Sequence, residues 1–136
     1  MSTVRLAFSS APQYVRTARL VGVAVARRAG VADALLDEVR LAIGEACGRA
    51  VARHRRYRVD ELIRVEMTDD GPYVVRVIDA CGQGTGQEGG RTDEADQMAQ
   101  RLLSGIVDDL TVDGNEVRMV WPVRRRLLGG AWMAPS

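Results

Sequence analysis

The sequence predicts a two-layer α+β sandwich in which helices lie on one face of a mixed, mostly antiparallel sheet. Short stretches with apolar residues at alternate positions are typical of strands, and they occur in pairs joined by turn signals. Longer stretches with apolar residues at helical spacing stand between them. The resulting order is strand, helix, helix, hairpin, helix, hairpin. The chain has 136 residues, which is enough for one domain with its own core.

The chain begins with a predicted strand and a predicted helix. Residues 4–8 alternate apolar and polar side chains, which indicates a strand with one buried face. A helix is predicted over residues 12–29, with the preceding Ser9 and Ser10 as cap candidates and with proline at its first turn. Gly30 follows at the position where a glycine commonly ends a helix.

The helix predicted over residues 34–54 has the clearest apolar face, and it is the centre of the functional argument. Asp33 is its cap candidate. Acidic residues in its first turn and basic residues in its last turn match the helix dipole. The residues that fall on its apolar face are Leu35, Val39, Ala42, Ile43, Ala46, Ala50 and Val51.

Two hairpins and a third helix complete the predicted fold. The turn signals are Asp-Asp-Gly-Pro in the first hairpin and Asp-Gly-Asn in the second. A Gly-rich loop separates the first hairpin from the helix. In chain order, the predictions are strands over 61–68 and 73–79, a loop over 80–91, a helix from Thr92 or Asp93 to about 106, and strands over 110–112 and 116–123.

The chain divides into a domain over residues 1–123 and a C-terminal tail over residues 124–136. The net charge of +1 gives no strong electrostatic field that would indicate nucleic acid or a membrane as a partner. No apolar run is long enough to span a membrane, and the first residues lack the pattern of a signal peptide. We therefore expect a cytoplasmic location, with neither nucleic acid nor membrane as a partner.

The two cysteines do not indicate a metal or disulfide framework. Cys47 and Cys81 form no CxxC motif, and His54 is the only histidine, so no zinc site is predicted. The two thiols would form a redox pair only if their Cα atoms lie within about 7 Å of each other.

Residues 41–54 read Leu-Ala-Ile-Gly-Glu-Ala-Cys-Gly-Arg-Ala-Val-Ala-Arg-His, which resembles the N-box of the histidine-kinase-like ATPases, in the branch of anti-sigma serine protein kinases. Residues 75–79 and the Gly-rich loop after them resemble that family's strand and first glycine box. Residues 106–109 and 116–119 resemble its last helix-strand-strand segment. The resemblance covers residues 4–123 and implies the Bergerat-type form of the α+β sandwich.

The resemblance also implies partners. In that branch, the protein binds an alternative sigma factor and keeps it from RNA polymerase. An anti-sigma factor antagonist competes for the same protein, and the kinase phosphorylates a serine of that antagonist. Members of the branch commonly pair, so the resemblance implies a possible homodimer.

The resemblance assigns roles to five residues. Glu45 takes the place of the general base toward the substrate hydroxyl, and Asp79 that of the carboxylate that recognises the adenine amino group. Arg49 replaces an asparagine that ligates magnesium, and a guanidinium has donors only, so it cannot ligate a cation. Gly82 and Gly84 stand one residue later than the glycines of the family's first glycine box.

These departures indicate an altered nucleotide site. The second glycine box maps onto residues 97–99, within a predicted helix, where side chains keep backbone amides from phosphate. We expect no cofactor, with ATP and magnesium possible only if the altered site still binds them. The leading hypothesis is an anti-sigma factor that acts by binding, with little or no kinase activity. The alternatives are an active serine protein kinase and a sensor that holds an anionic small ligand at Arg49.

Each of these residues also has a purely structural interpretation. Glu45 and Arg49 stand four apart with the acid first, an order that favours an ion pair along the helix. Asp79 is then a turn residue, and His54 a partner of the helix dipole. Three interpretations are open for the basic cluster at the end of this helix: a solvated helix end, a surface for an acidic partner, or a nucleic-acid patch. The cluster comprises Arg53, Arg55, Arg56, Tyr57 and Arg58.

Overall fold

The computed structural model describes residues 3–81, 94–126 and 132–133. It confirms the predicted α+β fold, with three helices covering one face of a five-stranded sheet. Every strand pair described in that sheet is antiparallel. The predicted element order is also confirmed, because a strand, two helices, a hairpin, a third helix and a second hairpin follow one another along the chain.

The strands of the main sheet lie in the order β1-β2-β3-β5-β4, and two short strands in the tail form a separate pair, β6-β7. The elements are β1 (Thr3–Phe8), α1 (Gln13–Ala29), a 3₁₀ turn (Asp33–Leu35), α2 (Leu36–Arg56), β2 (Ile63–Thr68), β3 (Tyr73–Ile78), α3 (Glu94–Ile106), β4 (Asp109–Asp113), β5 (Glu116–Trp121), β6 (Arg125–Arg126) and β7 (Trp132–Met133).

The core lies between the sheet and the helices because alternate strand residues are apolar. Val65 on β2 stands opposite Leu6 on β1 and Val77 on β3, and Val77 stands opposite Val117 on β5. One continuous apolar face therefore runs across the strands. Helix α2 lies between α1 and α3 over this face, and its buried residues include Val39, Ile43 and Ala46.

The opposite face of the sheet carries a ladder of alternating charges. Arg76 on β3 contacts Glu66 on β2 at 2.8 Å and Glu116 on β5 at 2.6 Å, and Arg5 on β1 lies 3.7 Å from Glu66. These side chains are partly exposed, so each pair contributes little to stability by itself. The ladder explains why only one face of the sheet is apolar.

The helix ends agree in part with the sequence. Gly30 ends α1 as predicted: its φ is 98°, and its N–H donates to the carbonyls of Ala26 and Arg27 at 3.1 and 3.2 Å. The predicted side-chain caps are wrong. Pro12 is the N-cap of α1, and Asp33 begins a 3₁₀ turn before α2, with no side-chain cap bond at either start.

Backbone carbonyls explain why the serine and aspartate caps are not used. The N–H groups of Tyr14 and Val15 donate to the carbonyls of the preceding Ala11 and Pro12, each at 3.1 Å. The N–H of Leu35 donates in the same way to the carbonyl of Ala32 at 2.8 Å. A tight turn therefore precedes each helix and satisfies donors that a side-chain cap would otherwise bind.

The tail beyond the predicted domain contacts α1 through its first residue. The N–H of Arg124 donates to the carbonyl of Gly30 at 2.9 Å, just before the β6-β7 pair. Within the described residues, no helix is both long and apolar enough to cross a bilayer.

Gly22 allows α1 to lie directly against α2 and the sheet. The hydroxyl of Tyr73 on β3 donates to the carbonyl of Gly22 at 2.7 Å. A Cβ atom at this position would overlap the Cδ1 atom of Ile43 on α2. The close approach of the three elements therefore depends on the missing side chain.

We expect Gly22→Ala to destabilise the fold by about 1–3 kcal/mol, because the added methyl overpacks the interface with Ile43. Ile43→Val removes the Cδ1 atom and by itself should cost about 0.5–1.5 kcal/mol. The double variant should then lose less than the sum of the two, as measured by urea unfolding.

The matched control is Gly48→Ala on α2, where no neighbouring atom lies within 4 Å of the added Cβ. This variant should be neutral or gain up to about 1 kcal/mol, because alanine is the better helix former. Equal losses at Gly22 and Gly48 would show that the contact with Ile43 is not the cause.

Candidate functional site

A cluster of buried charged and polar side chains lies where the last turns of α2 meet the end of β3. Its members are Arg49, Arg53 and His54 from α2 and Asp79, which directly follows β3. Each side chain points inward because its position continues the apolar face of the helix or strand that carries it. Asp79 is the centre of the cluster.

The Asp79 carboxylate is enclosed by donors from the protein itself. Its Oδ2 accepts a hydrogen bond from Arg53 Nε at 3.0 Å, and its Oδ1 accepts one from the Cys81 N–H at 2.8 Å. Arg49 Nη1 lies 3.9 Å from Oδ2, and the Asp79 side chain is 1% exposed. A buried carboxylate is tolerated when charge and hydrogen bonds compensate it, and both are present here.

Burial raises the pKa of Asp79 above that of an ordinary aspartate. The Arg53 guanidinium, the Cys81 N–H and the Arg49 guanidinium act in the opposite direction, because each favours the charged carboxylate. Two permanently charged guanidiniums therefore offset much of the cost of burying this group.

The backbone around Asp79 is tied to the turn between β4 and β5. The Asp79 N–H donates to the Asn115 carbonyl at 2.9 Å, and the Asn115 side-chain amide donates to the Asp79 carbonyl at 2.7 Å. These reciprocal bonds extend the contact between β3 and β5 past the end of β3. They place the Asp79 side chain under α2.

His54 binds the backbone of Ala80, the residue that follows Asp79. Its Nε2 accepts a hydrogen bond from the Ala80 N–H at 2.8 Å, and the ring is fully buried. Burial lowers the pKa of His54, although the nearby Asp79 and Glu61 raise it in part. The acceptor role requires a neutral ring with its proton on Nδ1. The predicted role as a charged partner of the helix dipole is therefore wrong.

The predicted ion pair between Glu45 and Arg49 is also wrong. Among the described residues, the carboxylate beside Arg49 is that of Asp79. Glu45 is half-buried and lines a groove between α1 and α2, together with Arg19 and Gly44. The four-residue spacing would permit the pair, but the Arg49 guanidinium lies beside Asp79, which directly follows β3.

The basic cluster at the end of α2 has two environments. Arg53 is 4% exposed, so it does not belong to a solvated helix end, and its guanidinium carbon lies 6.0 Å from the ring centre of Tyr57. Arg55, Arg56 and Arg58 are exposed. The sequence contained the signal for Arg53 and His54, because they continue the 3–4 residue spacing of the buried face of α2.

His54, Asp79 and Cys81 place three potential metal ligands within 4.8 Å of one another, although the sequence predicts no zinc site. The arrangement is not suited to a cation. The Nε2 lone pair accepts the Ala80 N–H, and both Asp79 oxygens accept hydrogen bonds. Arg49 and Arg53 add two positive charges beside the same carboxylate. Cys47 and Cys81 are buried and form no disulfide, and burial raises the pKa of Cys47 to about 12.

The described residues do not fit an adenine nucleotide with magnesium. An adenine amino group needs an open carboxylate oxygen, whereas Asp79 is buried and bound to Arg53 and the Cys81 N–H. Arg49 supplies no oxygen for a metal ion. Residues 97–99 lie in α3, which confirms that this segment is helical. Gly82 and Gly84 lie outside the described residues.

An open groove lies between α1 and α2 in the helical layer. It has a volume of about 640 Å³, and it lies on the side of the helices that faces away from the sheet. Leu20 and Leu41 line it and are 62% and 55% exposed. Its charged lining residues are Arg16, Arg19, Asp37, Arg40 and Glu45.

We expect the free energy of unfolding to fall as the pH drops below about 6.5, the ordinary pKa of histidine. The pKa of His54 is lowered in the folded state, so the unfolded chain binds a proton first and acid favours unfolding. Stability should be regained above that pH. The slope from this one group is at most about 1.4 kcal/mol per pH unit.

His54→Gln is the matched control, because a glutamine oxygen accepts a hydrogen bond but does not titrate. The pH dependence of urea unfolding between pH 7 and 5 should be flatter in this variant. The same slope in both proteins would show that His54 does not titrate on unfolding. His54 is the only histidine, so the comparison isolates one group.

Comparison with known proteins agrees with the observed fold. Residues 8–121 match the family described as the histidine kinase-like ATPase domain, and this range includes the main sheet from Phe8 onward, all three helices and the Asp79 cluster. None of the curated proteins compared with the chain matches it. The match covers most of the chain, and the chain therefore belongs to the histidine kinase-like ATPase domain family.

Proposed function

We propose that this chain is an anti-sigma factor that binds an alternative sigma factor, is released by an anti-sigma factor antagonist, and does not phosphorylate that antagonist. The family match supports the ATPase fold. The anti-sigma role rests on the resemblance of residues 41–54, 75–79, 106–109 and 116–119 to that branch. The observation that carries the proposal of binding without catalysis is the Asp79 carboxylate, whose two oxygens are both bound within the protein.

The groove between α1 and α2 supports a binding function. Exposed leucines beside arginines suit a partner helix that has apolar residues next to acidic ones. The Asp37 carboxylate contacts Arg40 at 3.1 Å and neutralises part of the charge, whereas Arg16 stands exposed on α1. An acidic, amphipathic helix of a sigma factor would therefore complement the exposed leucines and the excess of arginines in the groove.

The two alternative functions have less support from the described residues. A serine kinase needs an accessible site for ATP, and the Asp79 position is closed. A sensor of anionic ligands would use Arg49, which is buried and lies beside Asp79 rather than in an open pocket. Both alternatives require the protein to bind a small molecule: ATP for the kinase and an anionic ligand for the sensor.

Isothermal titration of the purified protein with Mg-ATP should show no binding, and incubation with ATP and the cognate antagonist should yield no phosphoserine. The physical reason is that Arg53 and the Cys81 N–H already bind the Asp79 oxygens. Micromolar affinity or phosphate transfer would instead support the kinase alternative. Binding of an anionic metabolite from a broad panel would support the sensor.

Capture experiments against all sigma factors of the source organism should identify one specific partner, and Arg16→Glu should weaken that complex at least tenfold. The reason is that a carboxylate at the edge of the groove repels an acidic partner helix. The expected change corresponds to about 1.4 kcal/mol. Affinity should be measured for both proteins at the same ionic strength.

Arg64→Glu is the matched control, because it makes the same charge change on an exposed residue of β2, on the opposite face of the sheet. Its affinity for the sigma factor should stay within twofold of the unmodified protein. Equal weakening by both variants would indicate a general charge effect. Failure to capture any sigma factor would contradict the proposed function itself.

A further inference from the structure

Arg53 makes the contacts that a bound ligand would be expected to make. Its Nε donates to Asp79 Oδ2 at 3.0 Å, and its Nη2 donates to the Cys81 carbonyl at 3.4 Å. These two nitrogens and the carbon between them form one planar edge. The edge therefore bridges a carboxylate and a backbone carbonyl on either side of Ala80.

The Asp79 carboxylate on this edge is held in place independently of Arg53. Asn115 holds the Asp79 backbone through two hydrogen bonds, and His54 holds the Ala80 N–H. The Cys81 N–H fixes the second carboxylate oxygen. The Asp79 carboxylate that Arg53 uses is therefore positioned by other parts of the fold.

Removal of the Arg53 side chain would still leave a positive charge near Asp79. Arg49 Nη1 lies 3.9 Å from the same carboxylate, so one guanidinium remains near Asp79 when the other is removed. Loss of the Arg53 side chain would leave a buried cavity with an acceptor on each side, because that side chain is almost fully enclosed. A molecule that fills such a cavity needs a planar edge with two donor nitrogens.

We propose that Arg53 is an internal ligand of this pocket: its guanidinium occupies the carboxylate and carbonyl acceptors that a planar N–C–N group of an external molecule would otherwise bind. The protein thereby keeps the pocket closed without a nucleotide. The chemical class that fits is an amidinium or a urea, since each presents two donor nitrogens joined through one carbon on a planar edge. This role of Arg53 does not depend on whether the protein binds a sigma factor.

The test is Arg53→Ala, probed with acetamidine and, separately, with urea at millimolar concentrations. The melting temperature of this variant should fall relative to the unmodified protein and should rise again by about 3 °C or more with acetamidine, since a ligand that binds only the folded state stabilises it. A rise with urea as well would show that a neutral edge is also accepted, and a response to acetamidine alone would show that the positive charge is required.

Two controls define the result. The unmodified protein and Arg40→Ala, which removes an exposed arginine of the same helix, should show no shift with either probe. Absence of a shift in Arg53→Ala, or equal shifts in all three proteins, would overturn the proposal.

A measurement on the unmodified protein covers the case in which Arg53→Ala does not fold. In nitrogen-15 NMR spectra, the Arg53 Nε–H should exchange with solvent at least a hundredfold more slowly than that of Arg40, and 10 mM Mg-ATP should leave its signal unchanged. Fast exchange of the Arg53 Nε–H, or a shift of its signal on addition of ATP, would show that the guanidinium does not hold the pocket closed.

Discussion

The buried carboxylate of Asp79 is the constraint on which the arrangement of the site depends. A charge removed from water needs opposite charge and hydrogen bonds within reach, and few groups in an apolar core can supply them. Here α2 supplies Arg53 and Arg49, while the chain after β3 supplies the Cys81 N–H. The position of α2 over the end of β3 is therefore determined by electrostatics as well as by the apolar contacts of Ile43 and Ala46.

The periodicity of the sequence was sufficient to predict most of the fold. Apolar alternation identified the strands, and helical spacing identified the three helices, because both patterns reflect which side of an element meets the core. Gly30 was recognisable because only a glycine readily adopts the left-handed conformation that ends α1. The cap predictions at Ser9, Ser10 and Asp33 failed because a backbone carbonyl can satisfy the same donors, and composition does not distinguish the two.

The candidate site was predictable only in part. The resemblance pointed to Arg49 and Asp79, which the structure brings together, but the local spacing suggested Glu45 as the partner of Arg49. Charged residues are usually assigned to the surface. The sequence therefore favours a solvated helix end for Arg53 and a partner of the helix dipole for His54, although the spacing of both residues continues the buried face of α2. A contact across 26 residues of chain, such as that of Arg53 with Asp79, leaves no local pattern in the sequence. The same fold can accordingly carry a catalytic pocket or a closed one.

The charge ladder on the outer face of the sheet has a consequence for how this protein assembles. Arg5, Glu66, Arg76 and Glu116 alternate in sign across four strands, and each lies beside an opposite charge on its own sheet. A second sheet stacked on this face would strip water from all four groups without offering them better partners. The ladder therefore disfavours the stacking of another sheet on this surface.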